Sequence, residues 1–199
     1  MIALVDYGAG NLTSVRKALA HLGAEVWTPA TATELTRARG MIIPGVGHFD
    51  STKALTSEWR TAIRQKVDDG TPLLGICVGL QWLFEGSQEA PDVPGLGVFD
   101  GTCVRVGGSA LKVPHVGWNA LDIPNPSNLM HGVENGAQVY FTHSYAAPLT
   151  RHSVGTCDYG LRFSAAVERG NVAAVQFHPE KSGEVGLRIL NNFLTRVRD

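Results

Sequence analysis

Residues 73–84 read LLGICVGLQWLF, and this stretch decides the fold. An apolar run that ends in Gly75-Ile76-Cys77-Val78-Gly79 and continues into a second apolar run is typical of a strand, a tight turn and a helix. Hydrolases with such a turn place a nucleophile at its tip, between small residues two positions before and two positions after it. Cys77 occupies that tip, where the free amide hydrogens of a helix N-terminus favour the thiolate. The alternative interpretation is a buried structural cysteine in a tight turn.

The chain on the N-terminal side of this turn alternates between predicted strands and helices. The continuous apolar run Ile2–Val5 predicts a strand covered on both faces. After the suitable N-cap Asn11, apolar residues at helical spacing continue until Gly23. The predicted order is strand Ile2–Val5, helix Leu12–Leu22, strand Glu25–Thr28, helix Thr31–Arg39, strand Met41–Ile43, helix Glu58–Asp69 and strand Leu73–Ile76. This alternation predicts a parallel sheet with right-handed crossovers.

Beyond Gly95 the pattern changes to short apolar segments separated by Gly, Pro and Asn turns. The sequence Glu168-Arg169-Gly170-Asn171 predicts a hairpin, because Gly170 supplies the positive φ that the turn needs. Strands are predicted over 97–106, 111–120, 138–146, 155–157 and 172–177, with a helix over 185–197. We therefore expect one α/β domain with a mixed sheet over residues 1–199.

A second group of candidate residues, His178-Pro179-Glu180, directly follows the apolar run 172–177. His178 is therefore expected at a strand end, where a parallel sheet places catalytic groups. In an extended segment, residues i and i+2 project to the same side, so Glu180 can bind one imidazole nitrogen while the other faces Cys77. A thiolate, an imidazole and an acid in this order predict a catalytic triad.

Two glycine-rich segments lead to different expectations. In Pro44-Gly45-Val46-Gly47 the flanking glycines let the Val46 peptide turn its N–H toward a ligand, so this amide and that of Val78 are candidate oxyanion donors. A simple strand-to-helix turn is the alternative. The segment Gly8-Ala9-Gly10 resembles the start of a dinucleotide fingerprint, but Thr13 stands where the third glycine is needed. Nucleotide binding is therefore disfavoured.

Composition excludes several classes of function. With 17 Lys and Arg against 18 Asp and Glu, the net charge is −1, which argues against nucleic acid and membrane as partners. The N-terminus lacks a basic segment before its apolar run, and the apolar stretch 73–84 is too short to span a bilayer. Three cysteines without a CxxC pair, and histidines without HxH or HExxH spacing, argue against disulfides and metal sites. We expect a cytoplasmic protein in which Cys103, Cys157 and His143 are structural.

Taken together, these residues resemble the triad-type, or class I, glutamine amidotransferases over nearly the whole chain. The turn around Cys77 and the His-Pro-Glu block are shared across that superfamily. The blocks PGVGHF (44–49) and PHVGWN (114–119) narrow the resemblance to the glutaminase subunits of imidazole glycerol-phosphate synthases, from histidine biosynthesis. Further matches are the loop 86–97 and the blocks YFTHSY (140–145) and QFHPEKS (176–182), and one departure is Trp82, where an aliphatic residue is commoner. The resemblance implies a three-layer, flavodoxin-like fold with a mostly parallel central sheet and a small antiparallel β region.

The resemblance also implies a reaction that needs no cofactor. Cys77 would attack the side-chain amide carbon of glutamine, and His178, oriented by Glu180, would protonate the departing ammonia. The amides of Val46 and Val78 would hold the oxyanion, and water would then hydrolyse the glutamyl thioester. The residues implied in glutamine binding are Gly45, Gly47, Gln81, Ser144 and Tyr145. Ammonia would pass to a (β/α)₈ synthase subunit, the implied heterodimer partner, which makes imidazole glycerol phosphate and an aminoimidazole carboxamide ribonucleotide.

The position of the site suggests where such a partner docks. In a doubly wound sheet the site lies at the carboxyl ends of the strands, so partner contacts are expected there. The interface candidates are Asn11, Trp118, Tyr140 and Lys181, although Trp118 and Tyr140 could instead be core residues. We also expect the oxyanion hole to be incomplete in the free subunit, because the glycines beside Val46 permit its peptide to flip.

Three other functions stay open at this point. The chain could be another triad amidotransferase, serving pyridoxal phosphate or anthranilate synthesis, although PHVGWN weighs against both. It could be a non-catalytic scaffold subunit, although the cysteine, histidine and glutamate of the triad are all present. It could also be a cysteine peptidase, which Gln81 and the His-Pro-Glu block disfavour.

Overall fold

A seven-stranded sheet forms the centre of the protein, which the computed structural model describes over residues 1–108 and 111–198. The strands are β1 (Ile2–Leu4), β2 (Val26–Trp27), β3 (Gly40–Gly45), β4 (Leu73–Cys77), β5 (Gly86–Ser87), β6 (Thr102–Arg105), β7 (His115–Ala120), β8 (Gln138–His143), β9 (Tyr145–Ala146), β10 (Ser153–Asp158), β11 (Arg162–Arg169) and β12 (Val172–Val175). The central sheet has the order β10-β11-β12-β4-β3-β1-β2. Its pairs from β12 to β2 are parallel, and the two pairs at the β10 edge are antiparallel. The expected mostly parallel sheet with a small antiparallel region is confirmed.

Helices cover this sheet and follow the sequence signals closely at their ends. The α-helices are α1 (Leu12–His21), α2 (Ser57–Asp68), α3 (Val78–Leu83) and α4 (Gly183–Arg198), and 3-10 helices span Ala32–Arg37, Phe49–Ala54 and Pro179–Lys181. Asn11 caps α1 as predicted, because its Oδ1 accepts from the Ser14 N–H at 3.4 Å. The helix predicted over 31–39 is instead a six-residue 3-10 helix, since the next strand begins at Gly40 and leaves little chain for a longer one.

The second half of the chain contains less strand than its apolar pattern predicts. The strand predicted over 97–106 is confined to Thr102–Arg105, because the residues before it bond to the end of α3 instead: Leu96 donates to the Trp82 carbonyl and Val98 to the Leu83 carbonyl at 2.8 Å. The strand predicted over 111–120 begins only at His115. Conversely, β11 was not predicted as a strand, although the predicted turn at Gly170 joins it to β12.

Strand β4 lies in the middle of the sheet and determines where the site forms. All five of its residues are buried, between β3 on one side and β12 on the other. The register pairs Gly45 of β3 with Cys77, and Val175 of β12 with Ile76. The carboxyl ends of these three strands therefore bring the PGVG, GICVG and HPE segments to one edge of the sheet. In the described part of the chain, no helix is long and apolar enough to cross a membrane.

Candidate active site

Cys77 lies at the tip of a strained strand-to-helix turn. It ends β4, precedes α3 and has φ +55°, which is the left-handed region that residues with a Cβ rarely adopt. The flanking glycines are required by space. A Cβ on Gly79 would lie 1.8 Å from the Ile43 carbonyl oxygen, and one on Gly75 would lie 2.8 Å from the Gly79 carbonyl oxygen. The strain is concentrated at the predicted nucleophile, as is common in active sites.

His178 and Glu180 form a buried pair beside this cysteine. The Nδ1 of His178 is 2.8 Å from Glu180 Oε1, and each side chain is only 1% exposed. The backbone N–H of His178 donates to the Tyr140 carbonyl at 2.9 Å, and this bond holds His178 against β8. Burial alone lowers the pKa of His178, but Cys77 and Glu180 together raise it to about 10. The imidazole is therefore a cation at neutral pH, with a proton available to a leaving group.

The two predicted oxyanion donors directly follow the neighbouring strands β3 and β4. Val78 is the first residue of α3, so its N–H has no acceptor within the helix. The N–H of Val46 instead donates to the Ala9 carbonyl at 2.8 Å. This N–H belongs to the Gly45–Val46 peptide, so its rotation involves the ψ angle of Gly45. The Val46 amide is thus bonded within the protein, and the incomplete oxyanion hole remains a prediction.

A chain of side-chain amides joins the cysteine to β9. Gln81 Nε2 donates to the Tyr145 carbonyl at 2.8 Å and to Gln176 Oε1 at 3.2 Å. Gln176 Nε2 donates to the Cys77 sulfur at 3.7 Å, and this sulfur lies 3.9 Å from the Thr142 carbonyl, to which the thiol donates. Sequence reasoning assigned no role to Gln176. The sequence does place a polar residue at the end of an apolar run, two positions before the histidine. The structure buries this glutamine fully.

His143 belongs to a buried pair of histidines rather than to the triad. Its Nδ1 is 3.0 Å from the Tyr145 carbonyl, and its Nε2 is 3.0 Å from His115 Nδ1. His115 is stacked between Phe141 and Tyr159. Burial lowers the pKa of His115 to about 4, and burial together with His115 lowers that of His143 to about 3. Both rings are neutral, which supports the structural role predicted for His143.

The other predicted residues lie around this edge. Trp118 is 57% exposed, so it is not a core residue, and its ring lies 6.1 Å from that of half-buried Tyr140 in an edge-to-face arrangement. Lys181 lies over the Tyr140 ring at 5.8 Å, so these three side chains form a continuous aromatic and cationic patch. Ser144 and Tyr145 are half-buried at the start of β9.

The remaining cysteines differ from Cys77. Cys103 and Cys157 are buried within strands, and burial raises the pKa of both thiols, which suits inert core residues. Within residues 1–108 and 111–198, no group of three or more His, Cys, Asp or Glu side chains is placed to hold a metal ion.

Comparison with known proteins places the chain in a family. The family model of class-I glutamine amidotransferases matches residues 3–197. The chain is 45% identical to the imidazole glycerol phosphate synthase subunit HisH of Moorella thermoacetica, over 99% of this chain and 95% of that protein. It is 48% identical to the HisH subunit of Thermococcus kodakarensis, over 97% of this chain and 98% of that protein.

The chain therefore belongs to the class-I glutamine amidotransferase family. Solved structures agree on the fold: a structure described as a glutamine amidotransferase superimposes with a TM-score of 0.77 at 21% identity, covering 100% of both chains. The PurLQS structure from Thermotoga maritima gives a TM-score of 0.77 at 20% identity, covering 98% of this chain and 97% of that one. Within the family, the chain groups with the HisH subunits of imidazole glycerol phosphate synthase.

Proposed function

We propose that this chain is the glutaminase subunit of an imidazole glycerol-phosphate synthase, which hydrolyses glutamine to glutamate and ammonia for histidine biosynthesis. The single observation that carries the chemistry is the position of Cys77. It stands at a left-handed turn on a helix N-terminus, beside the buried pair of His178 and Glu180. A thiolate with an oriented imidazole is the arrangement that acyl transfer from an amide requires.

The acylation step follows from the charges at the site. The Cys77 thiolate attacks the side-chain amide carbon of glutamine and forms a tetrahedral intermediate. When the C–N bond breaks, His178 donates its proton to the departing nitrogen, which leaves as ammonia, and the glutamyl group stays on sulfur as a thioester. Because Glu180 accepts at Nδ1, the ring keeps the orientation that leaves Nε2 for this transfer.

The deacylation step uses the same groups in reverse roles. After donating its proton, His178 is neutral and accepts a proton from a water molecule. The resulting hydroxide attacks the thioester carbon, the C–S bond breaks, and glutamate leaves with the thiolate restored. Glu180 stabilises the imidazolium that re-forms.

The oxyanion hole supplies a means of control. The Val78 amide serves both steps, whereas the Val46 amide becomes a second donor only after it leaves the Ala9 carbonyl. Each oxyanion donor is worth about 10²–10³ in rate, so the free subunit is a slow glutaminase. Asn11 lies two residues after Ala9, so a partner that docks on Asn11 acts on the acceptor that holds the Val46 amide.

The substrate groups are bound by the residues at the same edge. Gly45 and Gly47 line the approach to the sulfur, and Ser144 and Tyr145 bind the α-groups of glutamine. The Gln81 side chain can only accept a hydrogen bond from the substrate, because both hydrogens of its amide are already donated within the protein. Its Oε1 is the atom that remains to accept from the substrate amide.

The ammonia acceptor is a (β/α)₈ synthase subunit bound on the patch of Trp118, Tyr140 and Lys181. Tyr140 connects this patch to the base, since its carbonyl holds the His178 amide. The Arabidopsis thaliana relative named hisHF supports the pairing: the chain is 44% identical to it but covers only 34% of its length, so a second, longer part shares that chain. The cysteine usage of the chain favours a cytoplasmic location.

Glutamate release tests the proposal. We expect slow release by the purified chain, release at least about 10²-fold faster with the synthase subunit and its nucleotide substrate, and none from Cys77→Ala. Cys157→Ala is the matched control, because this buried thiol lies in β10 at the far edge of the sheet, and it should retain activity. Equal release by Cys77→Ala would refute the mechanism. Activation by a different amidotransferase acceptor, and not by this synthase, would refute the assigned pathway.

A further inference from the structure

We infer that Gln176 is an additional active-site residue, whose side-chain N–H holds and stabilises the Cys77 thiolate. This inference rests on the proposed function, since it concerns the same nucleophile. Gln176 follows β12 directly and is fully buried, with its Nε2 3.7 Å from the Cys77 sulfur. Its backbone N–H donates to the Ala165 carbonyl at 2.8 Å, so the residue is fixed to the sheet and does not depend on a loop.

The orientation of the Gln176 amide is determined by its neighbours. The Tyr145 carbonyl can only accept hydrogen bonds, so the Gln81 atom 2.8 Å from it must be the NH₂ group. The same NH₂ group lies 3.2 Å from the Gln176 side chain, which must therefore present its oxygen there. The other end of the Gln176 amide, which faces the sulfur, is then the NH₂ group.

This orientation favours the charged form of the sulfur. A thiol donates its hydrogen to the Thr142 carbonyl and accepts from Gln176, whereas a thiolate can only accept. Ionisation therefore abandons the contact with Thr142 and strengthens the one with Gln176, because hydrogen bonds to a charged acceptor are about twice as strong as neutral ones. Gln81 acts one step away, as the positioning residue that prevents the Gln176 amide from turning its oxygen to the sulfur.

Alkylation of Cys77 in the full chain tests this directly and needs no glutamine. Iodoacetamide reacts with the thiolate, so the rate of modification as a function of pH reports ionisation, with Cys77 followed separately from the other thiols by peptide mass spectrometry. In Gln176→Met we expect the midpoint of this profile to move up by about one pH unit, with an unchanged plateau at high pH, because one hydrogen bond to a charged group is lost. Gln138→Met, at an exposed strand end, is the matched control and should follow the unmodified protein.

Two further variants make the result decisive. Gln176→Glu keeps the oxygen that Gln81 requires but places a carboxylate beside the sulfur, so its midpoint should lie above that of Gln176→Met. Gln81→Leu should move the midpoint by less, and Gln81→Leu/Gln176→Met should move it no further than Gln176→Met alone, because Gln81 acts only through Gln176.

The outcomes separate this inference from the proposed function. Profiles of Gln176→Met and Gln176→Glu that overlay the unmodified protein would overturn the role of Gln176, even if glutaminase activity is normal. A change of the high-pH plateau alone would also overturn it, since that reports access to the thiol and not ionisation. If the shifts appear but the unmodified protein releases no glutamate with its partner, the proposed function fails and the role of Gln176 stands.

Discussion

Acid should destabilise this protein well before its carboxylates are protonated, because two buried histidines must stay neutral. The pKa of His115 is lowered to about 4 and that of His143 to about 3, from an ordinary value of 6.5. Below pH 6.5 the unfolded chain binds protons at both residues and the folded chain does not. Stability therefore decreases as the pH falls through this window.

The magnitude follows from the distance below 6.5. Each pH unit corresponds to about 1.36 kcal/mol per group, so at pH 5 each histidine costs about 2 kcal/mol and the pair about 4 kcal/mol relative to pH 7.5. This is a large part of a typical stability of about 5–15 kcal/mol. His178 has the opposite sign: with a pKa raised to about 10, it stabilises below 6.5 and loses this contribution as the pH rises toward 10. Its contribution is nearly constant below pH 6.5 but is about 1.4 kcal/mol larger at pH 5 than at pH 7.5, so the unmodified protein should lose about 2.5 kcal/mol over that whole range.

Urea unfolding at pH 7.5, 6 and 5 measures the effect. In His143→Phe the loss of unfolding free energy between pH 7.5 and 5 should be about 2 kcal/mol smaller than in the unmodified protein, whatever the baseline cost of the substitution. His131→Gln, which changes an exposed histidine, is the control and should keep the full dependence. The reasoning is refuted if the unmodified protein loses less than about 1 kcal/mol over this range, or if His143→Phe shows the same pH dependence.

Three further outcomes are expected. Gly79→Ala should prevent folding of the turn, because the new Cβ would lie 1.8 Å from a backbone carbonyl oxygen. Gly170→Ala has open space around it and should lower the free energy of unfolding by only about 1–2 kcal/mol. Thermal melts of the two variants measure this difference. Trp118→Ala should weaken binding to the synthase subunit at least about tenfold in a titration, and Leu149→Ala, 49% exposed on another segment, should not. Glu180→Gln should lower glutamate release at least about tenfold and move the basic limb of its pH profile downward, because the carboxylate raises the pKa of the imidazole it contacts.

The positions of the three candidate triad residues follow from local sequence patterns. Glycines at 75 and 79 are required by backbone clashes, so the turn that presents Cys77 leaves a motif in the sequence. The block at 178–180 is equally local, since the two side chains that pair are two residues apart. Parallel β–α alternation then predicts that both segments reach the same edge of the sheet.

Features that depend on contacts distant in sequence were not predictable in this way. Gln176 touches a sulfur 99 residues away, and nothing in its neighbourhood in the sequence specifies that contact. The acceptor of the Val46 amide, Ala9, lies in a different loop. The apolar pattern over 97–106 predicted too long a strand for the same reason, because the end of α3 provides the hydrogen-bond partners that another strand would otherwise provide.

The resting contact of the Val46 amide determines how strong a signal the partner must deliver. A backbone hydrogen bond of this kind contributes about 0.5–1.5 kcal/mol net, whereas a donor to the oxyanion stabilises the transition state by about 2.7–4 kcal/mol. The Val46 N–H belongs to the Gly45–Val46 peptide and the Ala9 carbonyl to the Ala9–Gly10 peptide, so one glycine adjoins each end of the bond. A docking contact that contributes about 1 kcal/mol at Asn11 is then enough to release the amide, and the change in turnover is far larger than the energy spent on the switch. We therefore expect glutamine to be hydrolysed slowly until the synthase subunit is bound.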